Sequence, residues 1–258
     1  MRKTFKFILF YFVMLATVIS AVAQDAIPNE IPDTVCVEDF VSNIENKSAD
    51  TAAKEAGEAR ITSISAAFLR LPVNYLDILP VSSRLDLLDY ATADSIGSVR
   101  NALEGKSTLL LLNDDYIKVQ LTPVSTLQLR RLPDKKNGYI FVSIYTVGGD
   151  GQAFDSDVSF FDETLSPLDA GKIISLPSLL DFFPSLKKNK AGQKRLEQII
   201  PFPTIEFSAS KYATTYTLKA YLTIDKFINQ DELPFIREHL RSPVTYLWDG
   251  VRFKLKKE

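Results

Sequence analysis

Residues 139–147 have the sequence YIFVSIYTV, a run rich in β-branched and aromatic residues that is typical of a β-strand. Alternate side chains of a strand point to opposite faces of its sheet. Ile140, Val142 and Ile144 therefore share one face, and Phe141 lies with Tyr, Ser and Val residues on the other. Because apolar side chains occur on both faces, we expect both faces of this strand to be covered.

Strand-like runs continue on both sides of this stretch. They lie at 108–112, 116–121, 126–132 and 157–161. Turn-forming residues separate them, including Asn113-Asp114-Asp115, Asn137-Gly138 and Gly148-Gly149-Asp150-Gly151. Antiparallel strands can be joined by such short turns, whereas parallel strands need a crossover of a dozen or more residues. The sequence therefore predicts an antiparallel meander.

The C-terminal part of the chain repeats this plan more loosely. Strands are predicted at 204–210 and 215–223, followed by a hairpin of 244–248 and 251–255 around Asp249-Gly250. Short helical segments are predicted at 84–90, 98–103, 178–183, 187–200 and 231–240. The predicted fold class is α+β, with antiparallel β-meander sheets and short helices.

The predicted elements divide into two halves, 59–170 and 171–258, each with a short helix before a set of strands. Residues 155–162 and 241–249 also have similar sequences. Two interpretations stay open: an ancient duplication, and the ordinary likeness of strands and hairpins.

The helix predicted from Arg84 to Tyr90 has Ser82-Ser83 as its capping residues. Its spacing predicts that Leu85, Leu88 and Tyr90 face the core.

The N terminus has the three parts of a secretory signal peptide. A basic start is followed by an apolar run at 7–22, which ends in Ala21-Val22-Ala23. We expect cleavage after Ala23 and a periplasmic or secreted product, with 24–58 as a flexible tether. An uncleaved signal peptide is the alternative, and it would be the only contact with a membrane. Cys36 lies too far from the cleavage site for lipid attachment at the new N terminus.

Composition excludes several classes of site. One Cys and one His exclude an intrachain disulfide, a cysteine zinc site and a multi-histidine metal centre, so no cofactor is predicted. The acidic residues between Asp150 and Asp162 lack the spacing of a calcium loop. His239 lies near a predicted helix end, and this structural setting alone explains its position. No GxSxG motif surrounds any serine.

Charge is distributed unevenly along the chain. Residues 24–183 contain 13 Lys and Arg against 24 Asp and Glu, whereas residues 184–258 contain 14 against 8. This indicates a basic face for an anionic envelope component or an acidic protein. The candidate partner-binding residues are Lys187, Lys188, Lys190, Lys194 and Arg195. The alternatives are a solvated surface and ion pairing inside the molecule. Nucleic acid is disfavoured for an exported protein with an acidic total.

No pattern points to catalysis, so the favoured function is a non-enzymatic binding or structural protein of the cell envelope. A hydrolase acting on envelope or nutrient polymers is one alternative. A carrier of a small ligand or lipid is the other.

Several segments together resemble a known family. They are Leu71-Pro72-x-x-Tyr75-Leu76-x-x-Leu79-Pro80, Arg84 to Tyr90, Val99-Arg100-Asn101-x-Leu103-x-Gly105-x-Ser107, Asp115-Tyr116-Ile117 and Asp155 to Asp162. In this order they resemble an uncharacterised exported-protein family of Bacteroidales-type bacteria, domain of unknown function 3256, over about 60–255. The resemblance implies a signal-bearing envelope protein and supplies no catalytic residues.

Overall fold

Strand pairing follows the order of the chain in the computed structural model, which describes residues 60–93, 97–149, 153–224 and 228–256. The first sheet has seven antiparallel strands, and each strand pairs with the next one in sequence. These strands are β1 (Ser98–Arg100), β2 (Lys106–Asn113), β3 (Tyr116–Thr122), β4 (Ser125–Asp134), β5 (Gly138–Val147), β6 (Asp155–Phe161) and β7 (Pro167–Leu168).

The second sheet has four antiparallel strands in the spatial order β11-β10-β9-β8. Its strands are β8 (Ile205–Tyr212), β9 (Thr215–Leu222), β10 (Val244–Trp248) and β11 (Phe253–Leu255). The predicted α+β class with antiparallel meanders is confirmed.

Five α-helices are described. They are α1 (Ile64–Arg70), α2 (Val81–Thr92), α3 (Ala170–Ile173), α4 (Lys190–Ile199) and α5 (Leu233–His239). Side chains cap three of them, because Ser63 Oγ accepts from Ala66 N, Asp169 Oδ1 accepts from Gly171 N and Asn189 Oδ1 accepts from Gly192 N. Single 3₁₀ turns occur at Val73–Tyr75, Leu179–Asp181 and Pro184–Leu186.

The first sheet is the middle layer of the fold. On one face, Phe141 and Phe161 pack with buried residues of α1 and α2. On the other face, Val142 and Ile144 pack with the second sheet and with Leu196 of α4. The expectation that both faces of residues 139–147 are covered is confirmed.

The two sheets are joined along β8, which is an edge strand. The amides of Ile205, Phe207 and Ala209 donate to Asp155 Oδ1, Ser156 Oγ and Gln128 Oε1 at 3.1, 3.0 and 3.3 Å. Gln128 Nε2 also donates to the Phe207 carbonyl at 3.2 Å. Side chains of the first sheet thus form hydrogen bonds with backbone groups that an edge strand otherwise exposes.

Two local predictions are wrong. Residues 98–103 do not form a helical turn, because β1 pairs with β2 and Asn101 then closes a turn. Asn101 Oδ1 accepts from the amides of Leu103 and Gly105, both at 3.0 Å. The last hairpin has a four-residue connection, since Trp248 pairs with Phe253. Asp249 stabilises it by accepting from the Val251 and Arg252 amides.

The core-facing side of α2 also differs from the prediction. Leu88 is buried as predicted, but Leu85 and Tyr90 are exposed, and Arg84 and Leu87 are buried instead. The helix begins at Val81 after Pro80, ahead of the predicted start. The predicted signal peptide at 1–23 and tether at 24–58 lie outside the described residues.

Candidate functional site

A groove of about 530 Å³ lies where the start of β10 and the end of β11 meet the segment after the 3₁₀ turn at Leu179–Asp181. Its size is within the range of small-molecule sites in proteins. It is lined by Asp181, Pro184, Lys187, Arg241, Pro243, Val244, Thr245, Leu255 and Lys256.

Backbone hydrogen bonds hold the three segments of the groove together. The Arg241 amide donates to the Phe182 carbonyl at 2.7 Å, which attaches the segment before β10 to the segment after α3. The Lys256 amide donates to the Thr245 carbonyl at 2.8 Å, which extends the β10–β11 pairing past Leu255. Backbone hydrogen bonds therefore fix the relative positions of the segments that line the groove.

The groove carries an excess of positive charge. Lys187 Nζ lies 2.8 Å from Asp181 Oδ1. Burial of Asp181 raises its pKa, but hydrogen bonds from Lys187 and Ser178 outweigh that effect, so the pKa is below its ordinary value. Among the carboxylates that the structure describes, none lies within 4.0 Å of the Arg241 guanidinium or the Lys256 ammonium. Three cations thus face one carboxylate, which is already paired.

The five candidate partner-binding residues differ in their surroundings. Lys187 lines the groove. Lys188, Lys190 and Lys194 are exposed, and no ion pair joins them to another described residue. Arg195 instead donates to Glu232 at 2.6 Å, and its guanidinium lies 4.4 Å from the centre of the Phe235 ring. Partner binding by these residues stays a prediction.

Sequence reasoning missed Arg241 and Lys256. Both were included in the basic charge of the C-terminal part, but they are far from Lys187 in sequence. The pairing of the last hairpin brings these residues to the groove. The Asp249-Gly250 turn predicted that hairpin, but it did not show which other segments lie beside it.

His239 lies in the last turn of α5, near the helix end as predicted. Its Nδ1 is 3.0 Å from Ser185 Oγ, and its ring packs edge-on against Phe235 at 4.9 Å between ring centres. No carboxylate of the described residues orients the imidazole through a hydrogen bond. The pair therefore lacks the third group of a catalytic triad in this part of the chain.

The acidic residues around β6 accept hydrogen bonds that hold the local structure together. Asp155 accepts from the Ile205 amide, Asp157 accepts from Ser159 Oγ, and Asp162 accepts from the Thr164 and Ser166 amides. Asp150 and Cys36 lie outside the described residues. In the described ranges, no three or more His, Cys, Asp or Glu side chains are placed to hold a metal ion. Their helices also include none with the length and apolar character needed to cross a bilayer.

Two buried charged groups lie outside the groove. The first is Arg84, which is 1% exposed. Its guanidinium donates to five backbone carbonyls at 2.7–3.3 Å, those of Phe68, Leu69, Leu71, Leu76 and Leu79. Burial lowers the pKa of Arg84 to about 10, so it remains charged at neutral pH. Arg84 thus fixes the segment between α1 and α2.

The second is a cluster centred on Asp115 in the turn between β2 and β3. Its Oδ1 accepts from Arg130 Nη1 at 2.8 Å, and its Oδ2 accepts from Lys211 Nζ at 2.5 Å and the Tyr216 hydroxyl at 3.0 Å. The Arg130 guanidinium stacks on the Tyr116 ring, 4.2 Å from its centre, and its buried Nε has no hydrogen-bond partner. The cluster joins the first sheet to the β8–β9 hairpin.

Comparison with solved structures finds a similar fold. One matching structure is described as a domain of an uncharacterized protein from Porphyromonas gingivalis W83, with a TM-score of 0.63 and 22% sequence identity. The match covers 77% of this chain and 100% of that chain. No curated protein matches.

A family model gives the broader assignment. The family described as Protein of unknown function (DUF3256) matches residues 58–253, which include all five described helices and every described strand except the end of β11. The chain therefore belongs to the DUF3256 family.

Proposed function

We propose that the protein is an exported, non-catalytic binding protein of the cell envelope, which holds an anionic partner on its C-terminal basic face. This face consists of the groove cations Lys187, Arg241 and Lys256 together with the exposed Lys188, Lys190 and Lys194. The groove carries the proposal, because cations from three separate segments converge there and two of them have no described carboxylate within 4.0 Å.

The alternative of ion pairing inside the molecule accounts for only part of the basic charge. Arg195 pairs with Glu232, and Lys211 pairs with Asp115. Lys188, Lys190 and Lys194 have no such partner among the described residues. Exposed cations of this kind attract an anion over about 8 Å at physiological salt, and each one contributes weakly. Binding should therefore need several of them and should fade as salt rises.

Charge reversal of the basic face tests this function. The variant carries Lys188→Glu, Lys190→Glu, Lys194→Glu, Arg241→Glu and Lys256→Glu, and the probe is dextran sulfate in low-salt buffer. We expect at least a tenfold loss of affinity, about 1.4 kcal/mol shared among five exposed contacts. Isothermal titration calorimetry measures it.

The matched control reverses exposed lysines elsewhere, with Lys106→Glu, Lys136→Glu and Lys172→Glu. It should bind dextran sulfate within about twofold of the unaltered protein, apart from a small effect of net charge. If the face variant loses stability while its binding is unchanged, the charges pair inside the molecule and the proposal is wrong.

Export has its own test. We expect the protein purified from cells to begin at Gln24, because Ala21-Val22-Ala23 has the small residues that signal peptidase requires. Mass spectrometry of the intact protein measures the N terminus. A mass that includes Met1, or one that carries a lipid, would contradict this part of the proposal.

A hydrolase is the second candidate, and the 3.0 Å contact between Ser185 and His239 is the observation that favours it. A screen of the purified protein against ester, glycoside and peptide substrates distinguishes the two functions. We expect no turnover above background. Turnover that disappears in Ser185→Ala would replace the binding proposal by a catalytic one.

A further inference from the structure

The groove is more than a patch of surface charge, because it combines its cations with apolar side chains. Pro184, Pro243, Val244 and Leu255 line it together with Lys187, Arg241 and Lys256. Val244 is buried, whereas Leu255 is 50% exposed. A highly charged polymer would contact the cations but would leave these apolar surfaces in water.

The apolar surfaces come from parts of the fold that are fixed in place. Val244 pairs with Ala220 of β9, and Leu255 pairs with Tyr246 of β10. Pro184 begins a 3₁₀ turn whose last residue, Leu186, is buried in the core. A ligand that covered the exposed parts of these side chains would gain the hydrophobic free energy of the area removed from water, without ordering new backbone.

The cations favour one negative group at one end of such a ligand. Lys187 is occupied by Asp181 at 2.8 Å, so its charge is partly compensated. Arg241 and Lys256 come from segments that meet at Thr245, whose carbonyl accepts from the Lys256 amide. An arginine and a lysine that line an apolar groove without a described carboxylate partner are suited to a phosphate or carboxylate head group.

We infer that the groove binds a single-chain anionic amphiphile, with its head group on Arg241 and Lys256 and its chain along Pro184, Pro243, Val244 and Leu255. The inference rests on the proposed function, since it names the class of anion that the basic face holds. A volume of about 530 Å³ is within the range of sites that hold one small ligand.

The test uses dodecyl phosphate below its critical micelle concentration, titrated calorimetrically into the full mature chain. We expect one molecule to bind per protein. Inorganic phosphate should bind at least tenfold more weakly because it lacks the chain. Dodecyltrimethylammonium, which has the same chain and the opposite charge, should not bind.

Two variants separate the contributions of head group and chain. Arg241→Gln with Lys256→Gln should weaken dodecyl phosphate at least tenfold. Leu255→Ser should weaken it at least threefold and leave inorganic phosphate unchanged. Leu110→Ser on β2 is the matched control, since Leu110 is 49% exposed and lies on the other sheet, and it should have no effect. Circular dichroism checks that each variant is folded.

The outcomes distinguish this inference from the proposed function. One outcome is that dextran sulfate binds and responds to charge reversal while dodecyl phosphate does not bind. In that case the proposal of a basic binding face is supported and the inference of an amphiphile is wrong. Equal affinity for inorganic phosphate and dodecyl phosphate, no effect of Leu255→Ser, or binding of many molecules per protein would also overturn it. If neither probe binds, both proposals fall.

Discussion

Replacing Arg84 by Met is expected to lower the free energy of unfolding by about 4 kcal/mol or more. Met has a similar length but no donor, so the five carbonyls around the guanidinium lose their partner. Each buried carbonyl left unsatisfied costs about 1–3 kcal/mol, although such costs are not additive. Since small domains have about 5–15 kcal/mol in total, much of the stability depends on this one side chain.

Urea denaturation followed by circular dichroism measures the effect. The free energy of unfolding of Arg84→Lys should lie between that of the unaltered protein and that of Arg84→Met. An ammonium keeps the charge but cannot present donors in the planar fork of a guanidinium. Arg70→Met, at an exposed position at the end of α1, is the matched control and should change stability by no more than about 0.5 kcal/mol. A loss below about 1 kcal/mol in Arg84→Met would show that water replaces the guanidinium.

Replacing Asp115 by Asn is expected to lower the free energy of unfolding by about 3–5 kcal/mol at neutral pH, the usual effect of removing one member of a buried ion pair. Asn would leave the buried Arg130 guanidinium without its carboxylate, and Arg130 Nε already has no partner. Lys211 is 38% exposed, so Lys211→Met should cost only about 1 kcal/mol.

A double variant separates the ion pair from the packing. Asp115→Leu with Arg130→Met removes both charges, and replacing a buried pair by apolar residues is often neutral. The double variant should therefore be more stable than Asp115→Asn alone. If it is less stable, the packing of Arg130 on Tyr116 matters more than its charge does.

Stability should also depend on pH through Asp115. Burial raises the pKa of Asp115, but the hydrogen bonds from Lys211 and Tyr216 and the charge of Arg130 together place it below its ordinary value. A carboxyl with a lowered pKa in the folded state stabilises the fold above the pKa of the unfolded chain, about 3.9. That contribution is lost as pH falls through the folded value. The difference between the protein and Asp115→Asn should therefore shrink in acid, as urea denaturation at pH 7 and pH 3 measures.

Alternation and turn chemistry were sufficient to predict nine of the eleven described strands. The two strands that were missed, β1 and β7, have three and two residues, which is too few for a period to be visible. β11 also has only three residues, but the turn signal at Asp249-Gly250 indicated it. The prediction of the side of α2 that faces the core was partly wrong because it rested on apolar spacing, which does not indicate a buried arginine such as Arg84. Its burial is favourable because carbonyls of residues 68–79 surround the guanidinium, and no pattern in the sequence predicts that these carbonyls converge.

Residues that carried the family resemblance turn out to have structural roles. Arg84 holds five carbonyls, Asn101 closes a turn, Asp115 joins the sheets, and Asp155 and Ser156 cap β8. The segments that carried the resemblance therefore include residues that hold the fold together and none that line the groove. Lys187 was the only candidate residue that lines the groove, because a run of basic residues shows local charge and leaves distant partners such as Arg241 unseen.

Strand pairing in strict chain order has a consequence for how the molecule is made. Each strand of the first sheet needs only the strand before it, so the sheet can grow as the chain emerges with its N terminus first. Pairs between neighbouring strands are closer in sequence than pairs between distant ones, which favours faster folding. Gln128, Asp155 and Ser156 all precede β8 in the chain, so the strands that carry them can be paired before β8 docks on them. We therefore expect the first sheet to act as the surface on which the C-terminal part of the chain completes its folding.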